Sequence, residues 1–367
     1  MKKTITVGSD FSGVGAFDQA LRRISIKKDF KIRSVFACDM DKFARQSYLA
    51  NYDAPEYYPE DVYERAIPEK SLDIYMTSPP CQSFSLLGNR KGKGDKRGVL
   101  FFNSWEFIDK NRPRFFIFEN VKGLLSDDEG RTFREWCNTL GGLSVNGVPV
   151  IFPFEESVPY HIYFKVVNSK DHGVPQNRER VFIVGIRDNE DNSFTWPKEE
   201  PLTKKTEDIL EENVDKTYFL SEKMLKGLMK KKSNFNGKFE PLTGEEEFLK
   251  CITTCAGSRV TDNFIKVGFI NQDTQASQVF SDKGVLTTLS AGPHGYANGY
   301  IETSKGVSVL KKNRIRRLTP RECFRAQDFA DNFKFVVSDT QLYKQAGNSI
   351  SVRPLEKILE KLQLIRK

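Results

Sequence analysis

Cys81 closes the run Ser78-Pro79-Pro80-Cys81, just after the mainly apolar stretch 72–76. Two prolines fix the backbone ahead of the thiol and remove N–H donors that would extend a sheet. A thiolate at the carboxyl end of a parallel strand is a nucleophile where α/β enzymes bind ligands. The competing reading is an inert buried thiol. Glu119 follows the apolar stretch 115–118, where partial desolvation would raise its pKa and suit it to donate a proton near neutral pH. Alternatively, it caps the turn that follows. Arg178 and Arg180 lie two apart in Gln176-Asn177-Arg178-Glu179-Arg180, so an extended backbone points both to one face. They could bind an anion or brace a carboxylate such as Glu119.

A second constellation lies near the N-terminus. Asp10-Phe11-Ser12-Gly13-Val14-Gly15 joins a short strand at 5–7 to a helix near 18–23. Glycines there let backbone approach a ligand at a strand's carboxyl end. A dinucleotide fingerprint would want a third glycine at position 18, which is Asp18, so a nicotinamide cofactor is disfavoured. Asp39 lies 24 residues after Gly15, about where a ribose-binding acid sits in such folds, and Asp61 precedes the next strand. These residues fit an adenosine-type cofactor, or else turn glycines with N-capping aspartates.

The elements that must position them read as strands at 5–7, 33–37, 72–76, 115–118, 162–167 and 181–185. Helices are expected at 18–23, 42–51 and 352–365. This is the rhythm of a parallel α/β sheet. Residues 88–98 hold four Gly, five Lys+Arg and Asp95, a basic loop attached to the thiol segment as a closing lid would be. Residues 201–250 carry ten Lys against ten Asp+Glu, and 264–301, rich in Gly, Thr, Ser and Asn, read as an irregular β-rich module. Residues 311–325 hold seven Lys+Arg against one Glu, which suits phosphate contacts or a solvated face.

The 367 residues suggest two domains, or one with an insertion. Net charge is 57 − 49 = +8, a hint of an acidic partner, and 38% hydrophobic content excludes wholesale disorder. There is no run of 18 apolar residues and no signal-peptide core, so the expectation is a cytoplasmic protein without a membrane span. Six cysteines at 38, 81, 137, 251, 255 and 323 make no disulfide framework, and no metal is expected. His161, His172 and His294 form no coherent triad.

Taken in order, these segments make the chain resemble the cytosine-5 DNA methyltransferases. The matching pieces are Phe11-Ser12-Gly13-Val14-Gly15, Pro79-Pro80-Cys81-Gln82, Glu119-Asn120-Val121 and Gln176-Asn177-Arg178-Glu179-Arg180. Arg316-Arg317-Leu318-Thr319-Pro320-Arg321-Glu322 and Gly347-Asn348-Ser349 follow. One Pro-Pro-Cys alone is weak; the ordered set is specific. The resemblance implies a seven-stranded S-adenosylmethionine-dependent methyltransferase sheet, mostly parallel with helices on both faces. It implies a catalytic and cofactor-binding domain at 1–200, a target-recognition domain at 201–344, and a segment 345–367 returning to the first. Cys81, Glu119, Arg178 and Arg180 become catalytic candidates, with Arg178 behind the others. Phe11, Gly13, Gly15, Asp39, Met40, Asp61, Pro79 and Asn348 become cofactor candidates. Gln82, Ser85, Arg97, Gln275 and Thr288 become DNA contacts, Gln275 as the filler of the space a flipped base vacates.

Two departures stand out. The family often has an acid two residues before the motif Phe, where this chain has Ser9 and carries its acid at Asp10. The residue after the ribose acid is often aromatic and is Met40 here. Double-stranded DNA is the implied partner of a monomeric enzyme, with a restriction endonuclease encoded separately. The main rival is an RNA cytosine-5 methylase, which shares Pro-Pro-Cys and Glu-Asn-Val. That branch usually carries Cys-Phe-Thr, and this chain has Cys323-Phe324-Arg325. A nicotinamide oxidoreductase and a silent DNA-binding protein of the same fold fit the motif set poorly.

Overall fold

The computed structural model describes residues 2–80, 99–202, 204–209, 211, 214–218, 300–301 and 316–365. Every strand and helix expected in the first half forms. The strands are β1 (Thr4–Asp10), β2 (Lys31–Cys38), β3 (Ile74–Thr77), β4 (Phe115–Val121), β7 (Tyr160–Asn168) and β8 (Glu179–Arg187). Two further strands, β5 (Ser144–Val145) and β6 (Val148–Pro149), have two residues each and form an antiparallel hairpin. They take the sheet from the expected seven strands to eight, in the order β2-β1-β3-β4-β8-β7-β5-β6. Asn146 at φ 49° and Gly147 at φ 81° turn this hairpin, and two-residue strands carry no periodicity that a sequence could reveal.

Strands β2, β1, β3 and β4 run parallel to their neighbours, and β8 runs antiparallel to β4. Strand order reverses between β1 and β3, which makes their carboxyl ends the switch point where such sheets bind ligands. The run Phe115, Phe116, Ile117 and Phe118 has no polar residue because β4 is central and buried on both faces. Each such side chain contributes about 1.5–3 kcal/mol on burial. On one face Phe116, Phe118, Val181 and Ile183 pack with Phe107 of α3 (Val99–Asn111) and Trp136 of α4 (Arg131–Leu140).

Helix α1 (Ala16–Lys28) extends the expected 18–23 at both ends. Helix α2 (Lys42–Asn51) has the expected bounds because Asp41 caps it, accepting from the backbone N–H of Phe43 and Ala44. Three helices follow: α5 (Pro320–Arg325), α6 (Asp339–Asn348) and α7 (Val352–Lys361). Lys27 and Arg23 of α1 both reach the buried carboxylate of Glu356 on α7, at 2.5 and 3.2 Å.

The chain divides into two compact units. One holds Met1–Val167, Glu179–Lys198 and Pro354–Lys367; the other holds Asn168–Arg178 and Glu199–Arg353. In the second, Thr319 and Glu322 form a reciprocal capping box at α5, and Phe324, Phe329, Phe333 and Phe335 cluster behind it. Strands β9 (Tyr300–Ile301) and β10 (Arg316–Arg317) pair antiparallel there. The β-rich module expected at 264–301 lies outside the described residues except for its last two positions. Among the described residues, no helix is long and apolar enough to cross a membrane.

Candidate active site

Three strand ends converge in the first unit. Asp10 of β1 is paired with Thr77 of β3, and Thr77 with Phe118 of β4. The chain therefore leaves β1 into 11–15, leaves β3 into Ser78-Pro79-Pro80, and runs along β4 into Glu119-Asn120, all side by side. Ser78 Oγ donates to the Phe11 carbonyl at 3.4 Å, joining the first two segments. Asn120 Nδ2 donates to the Pro79 carbonyl at 3.1 Å, joining the last two. Pro79 is buried and Pro80 exposed.

Glu119 is 7% exposed and forms an ion pair with Arg180, Nε to Oε1 at 3.3 Å. The register explains the pair. Val121 opposes Arg180 and Glu119 opposes Phe182, so the two side chains project from one face of adjacent antiparallel strands. Arg180 Nη1 also donates to the Glu179 carbonyl at 2.8 Å, which orients the guanidinium.

Arg178 does not share that role. It lies before β8, is 2% exposed, and donates through Nη2 to the carbonyls of Gly347 and Ser349 at 2.9 and 2.8 Å. The two arginines do not act together: Arg178 lies before β8 and its guanidinium is taken up by the carbonyls at 347 and 349, whereas Arg180 lies in the strand and pairs with Glu119. Arg178 instead fixes the C-terminal end of α6, where Asn348 is exposed, within the second unit.

The cofactor candidates of the first unit surround the turn 11–15. Phe11 adopts φ 58° and packs against the core below it. Gly13 has φ 54°, and a Cβ built on it would meet nothing within 4 Å among the described residues, which leave the turn open on that side. Gly15, at φ 82°, is glycine for a different reason: a Cβ would lie 2.3 Å from the Tyr52 ring. Asp39 accepts from the N–H of Gly13 at 2.7 Å and of Asp41 at 2.8 Å, so it holds the turn against the end of β2. Burial raises its pKa and these backbone donors oppose the rise. Met40 is 85% exposed. The segment 57–59 runs beside β2, with Asp39 N–H donating to the Pro59 carbonyl, and Asp61 follows, exposed. An open glycine face, apolar Phe11 and Met40, and two carboxylates suit a nucleoside: flat apolar walls for a purine, acceptors for hydroxyl and amino groups.

Sequence reasoning missed the network beneath this turn. Asp10 turns inward and pairs with Arg65, and Tyr75 donates to its other oxygen. Asp18, the residue in place of a third glycine, accepts from Tyr48 Oη at 2.7 Å. Periodicity could not show these pairs, since the partners lie 55, 65 and 30 residues apart. Cys81, Gln82, Ser85, Arg97, Gln275 and Thr288, with the lid 88–98, lie outside the described residues. Of the basic stretch, Arg321 sits 3.9 Å above the Phe335 ring and Arg325 pairs with Asp331 at 2.6 Å, so these two serve packing in the second unit. No group of three metal-ligating side chains occurs among the described residues.

The family described as C-5 cytosine-specific DNA methylase matches residues 5–364. Type II methyltransferase M1.ScrFI of Lactococcus lactis subsp. cremoris is 33% identical over 96% of this chain and 76% of its own length. Type II methyltransferase M.HpaII of Haemophilus parainfluenzae is 32% identical over 96% of this chain and 88% of its own length. The solved structure of the S. pombe Dnmt2 methyltransferase superposes with a TM-score of 0.65 over 97% of both chains. At 17% identity that likeness is one of fold alone.

Proposed function

The chain belongs to the C-5 cytosine-specific DNA methylase family, and from that membership we propose how its residues divide the work. It is a DNA (cytosine-5-)-methyltransferase that uses S-adenosylmethionine. Cytosine carbon-5 is too weak a nucleophile to attack a sulfonium methyl unaided. Cys81, as thiolate, adds to carbon-6 and turns carbon-5 into an enamine-like centre. Bound S-adenosylmethionine would supply the electrophilic methyl group, its sulfur–methyl bond breaking as carbon-5 attacks and the neutral thioether leaving as S-adenosylhomocysteine. Glu119 protonates or hydrogen-bonds ring nitrogen 3 and absorbs the charge that develops there. Arg180 orients Glu119 and holds the exocyclic oxygen of the base. After transfer a base removes the carbon-5 proton, the carbon–sulfur bond breaks, and Cys81 leaves as thiolate.

Phe11 and Met40 would face the adenine, Asp61 its amino group and Asp39 the ribose hydroxyls. Gly13 and Gly15 shape the turn, and Pro79 and Asn348 complete the site. Arg178 acts through the α6 carbonyls rather than on the base. Carbon-6 is inaccessible in a duplex, so the cytosine flips out. The lid 88–98, with Arg97, closes over it. Gln275 fills the gap, and Gln82, Ser85 and Thr288 contact the DNA. Residues 1–200 form the catalytic domain, 201–344 the target-recognition domain, and 345–367 the return. A monomer that modifies DNA beside a separately encoded endonuclease is the simplest biological setting, given the type II relatives.

The observation that carries this reading is the Glu119–Arg180 pair beside the Asn120–Pro79 hydrogen bond. That bond ties the acid's strand to the segment running into Cys81. The test uses duplex DNA with 5-fluorocytosine at the target, first located by bisulfite sequencing in a methylation-free host. Fluorine cannot leave as a cation, so elimination stalls. A denaturation-stable adduct on Cys81 is expected only with S-adenosylmethionine present, and Cys81→Ala abolishes it. An adduct on another cysteine, or trapping only on fluorinated RNA, overturns the reading.

A further inference from the structure

Asp10 ends β1 and directly precedes Phe11. An acid one residue earlier, at position 9, would project from the opposite face of the sheet, since a one-residue shift along a strand reverses a side chain. At position 10 the carboxylate enters the core on the α3 side. Arg65 Nε donates to Oδ1 at 2.9 Å and Tyr75 Oη to Oδ2 at 2.6 Å. The Asp10 and Arg65 side chains are 0% and 2% exposed, so solvent reaches neither. The Arg65 guanidinium lies 4.5 Å from the Phe107 ring centre and 5.6 Å from that of Phe36. Its Nη2 reaches the Asn103 carbonyl at 3.4 Å, and its Nη1 has no hydrogen-bond partner among the described residues.

Stability alone gives no reason to keep such a pair. An apolar replacement of a buried ion pair is often neutral or stabilising, and here one donor has no hydrogen-bond partner among the described residues. What the pair supplies is geometry, because a guanidinium gripping a carboxylate fixes direction as well as distance. It joins three segments: the turn that begins at Phe11, the stretch that begins at Asp61 four residues before Arg65, and β3, which carries Tyr75 toward Ser78 and Pro79.

We propose that Asp10 and Arg65 are positioning residues: their buried pair sets the spacing between the turn 11–15 and the Asp61 wall, and thereby the enzyme's affinity for S-adenosylmethionine. The proposal rests on the reading of these walls as the cofactor site. Misplacing a site wall by a fraction of an ångström weakens binding although nothing touching the ligand has changed.

The test compares the full-length protein with D10L/R65M, which removes both charges and leaves neither partner stranded, and with Tyr75→Phe, which removes one hydrogen bond. S-adenosylmethionine affinity is measured by calorimetry, and KM and kcat by methyl transfer to DNA. The expected result for D10L/R65M is a cooperative melt with a dissociation constant about tenfold or more weaker. KM for S-adenosylmethionine should rise in parallel, and the loss in kcat/KM should fall mainly in KM. Tyr75→Phe should show the same split at smaller size, which keeps the test decisive if the double variant does not fold. Cofactor affinity within twofold of wild type in the folded variants overturns the proposal. A wild-type protein that binds no S-adenosylmethionine would instead overturn the cofactor site on which it rests.

Discussion

Replacing Asp18 with Asn should stabilise the protein, and by more as pH rises. Asp18 lies in the first turn of α1, directly after the cofactor turn. Its Oδ2 is sealed from solvent with no partner among the described residues, although the residue as a whole is half-buried. Burial raises its pKa from 3.8 to about 6 against the opposing hydrogen bond from Tyr48. Below pH 3.8 the carboxyl is protonated in both folded and unfolded chains and costs nothing. Between 3.8 and about 6 the folded chain holds the proton that the unfolded chain has released, so stability falls as pH rises. Above this window the penalty is constant, about 3 kcal/mol at about 1.4 kcal/mol per pH unit.

An asparagine keeps an oxygen for Tyr48 but buries an amide N–H group, at a fixed cost of about 1–2 kcal/mol. The net gain above pH 7 is then about 1–2 kcal/mol. The sharper quantity is the change with pH, in which that fixed cost cancels. About half the penalty is already present at pH 5, so the gap between variant and wild type should widen by about 1–1.5 kcal/mol from pH 5 to pH 8. Urea unfolding at both pH values, followed by the fluorescence of buried Trp136 in the same unit, measures it. A gap that is constant or narrows with pH would refute an ionised, desolvated Asp18.

Glu119→Gln should lower methyl transfer by about 10²–10⁴ while calorimetry on the same preparation finds S-adenosylmethionine binding retained; lost binding would make Glu119 structural. Gly15→Ala forces a Cβ to within 2.3 Å of the Tyr52 ring at φ 82° and should cost about 1–3 kcal/mol, read as a lower thermal midpoint. An unchanged midpoint would mean that the Tyr52 ring yields freely. Arg178→Lys loses the two-carbonyl grip on the end of α6 and should lower the thermal midpoint, with an equal fractional loss of activity on matched and mismatched DNA. Gln275→Gly should slow methylation of paired DNA more than of DNA with a mismatched target cytosine, because unpairing is then cheaper; equal slowing would remove Gln275 from base flipping.

The sequence by itself determined what is local. Phe115, Phe116, Ile117 and Phe118, apolar without a break and bounded by Arg114 and Glu119, read as a buried strand, and Asp41 fixes the start of α2 by its own side chain. The order of short motifs from Phe11 to Asn348 identified the chemistry, because each motif is set by the reaction and not by distant packing. Only the tertiary structure decided where the charged side chains go. Nothing near Arg178 in the chain says that it will grip carbonyls at 347 and 349 while Arg180 turns to Glu119. Asp39 looked like a ligand for ribose and is first a brace for Gly13; Asp10, marked only by its shifted place before the motif Phe, is the anchor of a core ion pair. Hydrophobic periodicity records which face of an element is buried. The partner of a buried charge depends on which strands become neighbours, and in this sheet the neighbours of β1 and β4 arrive from tens of residues away.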